Sequence, residues 1–222
     1  MIRQRHAPLS GIVFVILLIL GFAVFGGDTP EIDDSGSKIV DYYADHQGSQ
    51  IAAVILVALA SLFLAIFVAS LRDYVRGSGE ASELWPNVVL VGGTVAVAGF
   101  LVAVGMHLAL IDGGDKHISP DAMVALNALD NDNFFAFATP LGIMLLGAAG
   151  ATFRDAAAFP KWMAWAAIVL FVVFFTPAGF ASFALTGIWI IIASIMMSRR
   201  IGAGAAGAAG AAGTAGAAGT AA

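Results

Sequence analysis

The chain has 222 residues, of which 60% are hydrophobic and only 11% are charged. Soluble domains carry roughly a quarter of charged residues, and a chain of this size cannot bury so much apolar surface in a water-soluble core, so the composition predicts an integral membrane protein. A formal net charge of -5 argues against nucleic-acid binding, which needs a basic surface, and the absence of cysteine excludes disulfides and thiolate sites.

Six apolar segments, all free of Asp, Glu, Lys and Arg, follow one another along the chain. They are residues 9–27, 51–71, 88–111, 134–153, 162–176 and 178–197. A helix needs about 20 apolar residues to cross the hydrocarbon core of a bilayer. The predicted fold class is therefore an all-α membrane protein with six transmembrane helices within residues 9–200.

The fifth and sixth segments have two interpretations. One bent helix over residues 162–197 would be about 54 Å long, which exceeds the thickness of a bilayer. A helical hairpin that turns at Pro177 and Gly179 is favoured, because both residue types end helices.

The basic residues predict the orientation. Eight of the ten fall on one side of the six segments: Arg3, Arg5, Arg72, Arg76, Arg154, Lys161, Arg199 and Arg200. Cytoplasmic flanks are enriched in Lys and Arg, so both termini are predicted to be cytoplasmic. Residues 1–8 then form a short cytoplasmic N-terminus. The first segment is longer than the apolar part of a signal peptide and is predicted to stay as an uncleaved anchor.

Residues 201–222 consist almost entirely of Gly and Ala. Such a sequence has little to bury. We predict a flexible cytoplasmic tail.

Two acidic outer loops, residues 28–50 and 112–133, carry eleven of the fifteen carboxylates. Each is predicted to contain a short helix. Ser37 is the predicted N-cap of the first, and Ser119 caps the second with Pro120 at its first position.

A run of oxygen-bearing side chains, residues 130–133, raises the alternative of a calcium site in the second outer loop. Phe134 and Phe135 stand where an EF-hand would continue with further ligands. Solvated loop charge is the preferred interpretation, and no metal ligand is predicted.

His107 is the lone titratable residue within a predicted span. Ionisable residues in a membrane are candidates for function, but His107 lies one turn from the outer interface. The favoured interpretation is therefore an interfacial histidine bonded to water, to a lipid headgroup or to Asp112. Without a second histidine in a span, no bis-histidine haem site is predicted.

Thr139 and Pro140 form the second candidate site. Pro140 interrupts the hydrogen bonds of the fourth predicted helix, and a kinked helix can line a cavity or move. Proline is also common in membrane helices, so ordinary packing is preferred. No catalytic residue and no cofactor are predicted.

Small residues recur at four-residue spacing in several segments, for example Gly92 with Ala96 and Ser61 with Ala65 and Ala69. Such faces let membrane helices pack closely. They are predicted to hold the bundle together, and a seam between two copies of the chain is the alternative.

Three short motifs carry a resemblance: Ser37-Lys38-Ile39-Val40-Asp41-Tyr42-Tyr43-Ala44-Asp45-His46, Phe159-Pro160-Lys161-Trp162-Met163-Ala164-Trp165 and Gly187-Ile188-Trp189-Ile190. With this layout, residues 1–200 resemble uncharacterised multi-pass membrane proteins of actinobacteria. The resemblance implies a helical plasma-membrane protein of unknown function and assigns no catalytic residue.

The leading functional hypothesis is a non-enzymatic structural or interaction component of a bacterial cytoplasmic membrane. Its partners would be the lipid bilayer and either another protein or a second copy of the chain. The main alternative is a small transporter or channel for an uncharged or weakly polar solute, suggested by the interrupted fourth helix. A third hypothesis is lipid or quinone binding near His107.

Overall fold

The structure, a computed structural model, describes residues 6–77, 83–154 and 158–219, with side chains described up to residue 203. Every regular element in these ranges is a helix. The helices are α1 (Ala7–Gly26), α2 (Gly36–Asp45), α3 (Gln47–Arg76), α4 (Leu84–Asp115), α5 (Pro120–Asp132), α6 (Phe134–Arg154), α7 (Lys161–Val173) and α8 (Gly179–Gly219).

Five of the described helices, α1, α3, α4, α6 and α8, are long and apolar enough to cross a membrane. The predicted all-helical membrane class is therefore confirmed at this level. α3 and α4 each extend about one turn beyond the apolar segments 51–71 and 88–111 at both ends. The added turns contain polar residues, which carry no apolar signal.

The fifth predicted span corresponds to α7, which has only 13 residues and ends at Val173. It pairs with α8 in antiparallel fashion: the Ser182 hydroxyl donates to the Leu170 carbonyl at 2.6 Å, and the Trp189 indole donates to the Met163 carbonyl at 3.1 Å. The two helices therefore form a hairpin and not one bent helix.

Two short helices, α2 and α5, cover one end of the bundle, which we call the outer end after the predicted orientation. The predicted cap of α5 is confirmed, because the Ser119 hydroxyl accepts from the Ala122 amide at 3.4 Å. The predicted cap of α2 is wrong. Ser35 and not Ser37 accepts from the Lys38 amide, and α2 begins at Gly36.

A small cluster of buried side chains holds these outer helices on the bundle. It joins Ile39 and Tyr43 of α2 to Leu110 of α4 and Met123 of α5, all of them without solvent exposure. Burial of several large apolar side chains contributes about 1.5–3 kcal/mol each. The outer helices are thus a packed layer above the ends of α3 and α4.

The helices α4 and α6 approach each other closely through glycine residues. A Cβ atom on Gly99 would overlap the Ala136 carbonyl, and one on Gly92 would overlap the backbone of α6 near Pro140. Because Pro140 has no N–H, the Ala136 carbonyl lacks its helical donor and faces the glycine instead. Pro140 is thus a buried packing element of α6, which continues without interruption to Arg154.

The small residues at four-residue spacing are buried in α4, as predicted for a packing face, but mostly exposed in α3. Gly92 and Ala96 are both buried, and a Cβ atom on Gly92 would overlap the backbone of α6, as on a packing face. In α3 only Ser61 is buried, whereas Ala65 and Ala69 are exposed on the surface of the bundle.

The inner end of the bundle is tied together by Arg200 near the end of the predicted spans. Its guanidinium donates to the Tyr74 hydroxyl and to the Ala158 carbonyl, each at 2.9 Å. Beyond it, the backbone of α8 continues through residues 201–219. The flexible tail stays a prediction, and residues 1–5 of the predicted N-terminus lie outside the described residues.

Candidate functional site: an apolar cavity with a polar end

A cavity of about 970 Å³ lies between α1, α3, α4, α6 and α8. Its walls are apolar and include Phe14 and Leu18 of α1, Val104 of α4, Leu141 of α6 and Ile190 of α8. Cavities that hold small molecules in proteins measure about 300–1,000 Å³ and are mostly apolar with a few polar groups. The size and lining therefore match a ligand site.

Three exposed phenylalanine side chains line the cavity. Phe22 of α1, Phe135 of α6 and Phe180 of α8 line it, and 47%, 57% and 76% of their surfaces are exposed. Thr29, Thr176 and Pro177 also line the cavity and are exposed, so its exposed lining includes both apolar and polar residues.

The polar end of the cavity is built on His107 and Asp130. His107 projects from α4, and its Nδ1 lies 2.8 Å from Oδ2 of Asp130 at the end of α5. Its Nε2 lies 2.8 Å from Oε1 of Gln50 at the start of α3. One side chain thus joins three helices. Asp112, one of three partners predicted for His107, is not its partner: both ring nitrogens contact other residues, and Asp112 lies 3.6 Å from Lys116.

The hydrogen-bond pattern fixes where protons lie. The Gly26 carbonyl only accepts, so the Gln50 atom 2.7 Å from it is the amide nitrogen. Gln50 then presents its oxygen to His107, whose Nε2 must carry a hydrogen. The contact from Nδ1 to Asp130 needs a second proton, carried by the ring or by the carboxyl group. The His107–Asp130 pair therefore shares one proton.

Two adjacent tyrosines of α2 flank this network in different ways. The Tyr42 hydroxyl donates to the Gly26 carbonyl at 3.3 Å and accepts from the Gln50 amide at 3.0 Å. Tyr43 packs edge-on to His107 with ring centroids 5.5 Å apart, and its buried hydroxyl has no partner among the described residues. Burial raises the pKa of both hydroxyls, which keeps them protonated at neutral pH.

One further polar side chain at this end is unsatisfied. Asn133, in the turn between α5 and α6, lines the cavity and is 8% exposed. Its Nδ2 has no hydrogen-bond partner within the described part of the chain. Buried donors are nearly always paired in native proteins, so this amide is an exception, but Nδ2 is itself buried and not open to the cavity.

The structure places the sequence-predicted residues in different surroundings. His107 lies at the polar end of the cavity, whereas Thr139 and Pro140 do not line it. Hydroxyl groups that would have lined a polar path donate to their own helices instead. Ser61 bonds to the Val57 carbonyl and Thr186 to the Ser182 carbonyl.

Sequence reasoning missed Gln50, Asp130 and Asn133 as members of the site. Gln50 and Asp130 lie 57 and 23 positions from His107, and no pattern in the chain links them. Gln50 stood just before a predicted span, while Asp130 and Asn133 were interpreted as solvated loop residues. The one signal in the sequence was that Gln50, a polar amide, directly precedes an apolar segment.

Across residues 6–77, 83–154 and 158–203, no group of three or more His, Cys, Asp or Glu side chains is close enough to hold a metal ion. In the run considered as a calcium site, Asp130 instead bonds to His107.

No family model, curated protein or solved structure matches this chain. The resemblance to actinobacterial multi-pass proteins therefore stays a prediction.

Proposed function

We propose that this membrane protein binds a lipid-soluble molecule with an apolar body and a polar end group. The observation that carries the proposal is the cavity of about 970 Å³ that is apolar along α1 and α8 and ends at His107 and Asp130. A ligand that comes from the bilayer would gain van der Waals packing against these walls and hydrogen bonds at the polar end, because lipid tails are as apolar as the walls themselves.

The route of entry is lateral. Phe22, Phe135 and Phe180 line the cavity, are exposed and belong to apolar helices, which supports entry from the bilayer. A lipid-soluble molecule dissolved in the bilayer would reach the cavity between these rings without crossing water.

The surrounding topology is part of the proposal. The helices α1, α3, α4, α6, α7 and α8 form six crossings of a bacterial cytoplasmic membrane, with both termini in the cytoplasm. The concentration of Lys and Arg at the inner end supports this orientation. It places His107 and Asp130 toward the outer face.

The proposed binding function is compatible with a non-enzymatic role, which stays a prediction. An interaction partner for the protein also stays a prediction, as does transport of an uncharged solute. The cavity favours the third hypothesis from the sequence, lipid or quinone binding near His107.

The test is native mass spectrometry of the full-length protein extracted gently from its host membrane, compared with Ala103→Leu. Ala103 lines the cavity and is half-buried, so three added carbon atoms would fill space a ligand needs. We expect a reproducible bound molecule on the wild type and severalfold lower occupancy on the variant.

The matched control is Ala65→Leu, the same substitution on the exposed face of α3. It is expected to keep wild-type occupancy. Equal occupancy in both variants, or a wild-type protein that carries no small molecule, would show that the cavity is not a binding site. A retained protein chain with no small molecule would favour the interaction hypothesis.

A further inference from the structure

Phenylalanine side chains form a large part of the cavity walls. Eight of the sixteen phenylalanines of the chain line it. They belong to α1, α6 and α8 and to the residue that follows α7. Because the rings come from four separate parts of the chain, they line more than one wall, and a molecule in the cavity meets aromatic surface from several directions.

Three of these rings form a group close to the polar end. Phe134 begins α6, four positions after Asp130. Its ring meets those of Phe137 and Phe183 edge-on, with centroids 5.5 and 5.9 Å apart and interplanar angles of 78° and 79°. In an edge-on pair, the ring that offers its edge does not use its own faces for the pair. Since all three rings line the cavity, the group can take a further aromatic partner.

The lining of the same helices changes with distance from the polar end. Two turns beyond Phe134, the lining residue of α6 is Leu141, and two turns beyond Phe183, the lining residue of α8 is Ile190. The walls formed by α6 and α8 are therefore aromatic near the polar end and aliphatic further along. A ring in a ligand that fits both sections lies at the polar end of that ligand.

The lipid tails of the bilayer compete with the cavity for any apolar ligand. They are as apolar as the cavity walls, so burial alone does not favour the cavity over the bilayer. Aromatic rings that meet edge-on or with an offset gain stabilisation beyond their burial. Saturated lipid tails offer no such contact. A conjugated ring therefore gains in the cavity an interaction that it lacks among lipid tails.

We propose that the ligand carries its polar end group on a planar conjugated ring; this rests on the proposed binding function. The ring lies among Phe134, Phe137 and Phe183. The polar group lies at the end of the cavity that His107 and Asp130 line.

The test compares three alcohols with equal numbers of carbon atoms: anthracene-9-methanol, its fully hydrogenated analogue and 1-pentadecanol. Binding to the purified full-length protein in detergent is measured by equilibrium dialysis, as the excess over protein-free micelles. The hydrogenated analogue keeps the fused rings but not their π system, and the straight-chain alcohol keeps neither. We expect anthracene-9-methanol to bind about fivefold more tightly than either of the others.

Phe135→Leu and Phe175→Leu are a matched pair of variants. Both rings are 57% exposed, and each meets one neighbouring ring edge-on, but Phe135 lines the cavity and Phe175 does not. Phe135→Leu should weaken binding of anthracene-9-methanol about threefold and leave binding of 1-pentadecanol unchanged, because leucine keeps the apolar contact and loses the ring. Phe175→Leu should change neither.

The outcomes separate this inference from the proposed function. If the hydrogenated analogue or 1-pentadecanol binds as tightly as anthracene-9-methanol, the cavity is a binding site but the ring inference is wrong. Equal effects of Phe135→Leu and Phe175→Leu, or anthracene-9-methanol binding that Ala103→Leu leaves unchanged, would place the probe outside the cavity and overturn the inference as well. If none of the three alcohols binds, the proposed function itself falls.

Discussion

Tyr42 and Tyr43 are adjacent residues of α2 whose replacement by phenylalanine should change stability in opposite directions. Both substitutions remove one oxygen atom and keep the aromatic ring. The Tyr42 hydroxyl bonds to the Gly26 carbonyl and to the Gln50 amide, whereas the Tyr43 hydroxyl is buried without a partner among the described residues. The pair therefore tests the polar network with a built-in control.

The magnitudes follow from these contacts. Tyr42→Phe removes one donated and one accepted hydrogen bond, but the Gly26 carbonyl keeps its shorter bond from Gln50 at 2.7 Å. The expected loss is about 1 kcal/mol. Tyr43→Phe removes a desolvated hydroxyl with nothing to offset its burial, so a gain of about 1 kcal/mol is expected.

The assay is thermal unfolding of both variants and the wild type in the same detergent. For a chain of this size, 1 kcal/mol corresponds to about 2–4 °C in Tm. Tyr42→Phe should lower Tm by about that amount, and Tyr43→Phe should raise it. If Tyr43→Phe lowers Tm as much as Tyr42→Phe, the Tyr43 hydroxyl is satisfied and the account of the network is refuted.

Two further predictions concern packing and topology. Gly99→Ala should destabilise the protein by about 1–3 kcal/mol in the thermal unfolding assay, because its Cβ would overlap the backbone of α6. The control is Gly105→Ala, where a Cβ meets nothing within 4 Å, and it should be neutral or slightly stabilising. Equal losses of stability in the two variants would argue against the close α4–α6 contact. The chain has no cysteine, so a single introduced cysteine reports on which side of the membrane its position lies. A membrane-impermeant maleimide should label Lys116→Cys and not Arg76→Cys in intact cells. The reverse pattern would overturn the proposed orientation.

The positions of the long helices were largely predictable from the sequence because the bilayer imposes a one-dimensional rule. A chain segment must be apolar for about 20 residues to cross it, and that pattern is visible without any knowledge of neighbours. The predicted segment at residues 134–153 matches α6 within one residue. The cap at Ser119 was predictable for a similar reason, since its contact lies three residues away.

Sequence rules for helix ends gave wrong predictions where two neighbouring residues could each end or cap the helix. Ser35 and Ser37 both precede the same helix, and α2 uses the former as its cap. The short helix α7 ends three residues before its predicted boundary.

Composition and the pattern of apolar residues by themselves determined that this chain is a helical membrane protein and where its long helices run. The reason is that the backbone hydrogen bonds of a membrane helix lie within that helix, so each apolar segment can be recognised without its neighbours. Only the tertiary structure decided that Gln50, His107 and Asp130 meet. Their hydrogen bonds join three helices across long stretches of chain, and such contacts arise from how helices pack. The cavity beside them exists for the same reason: it is the space that α1, α3, α4, α6 and α8 leave between them, and no single helix encodes it.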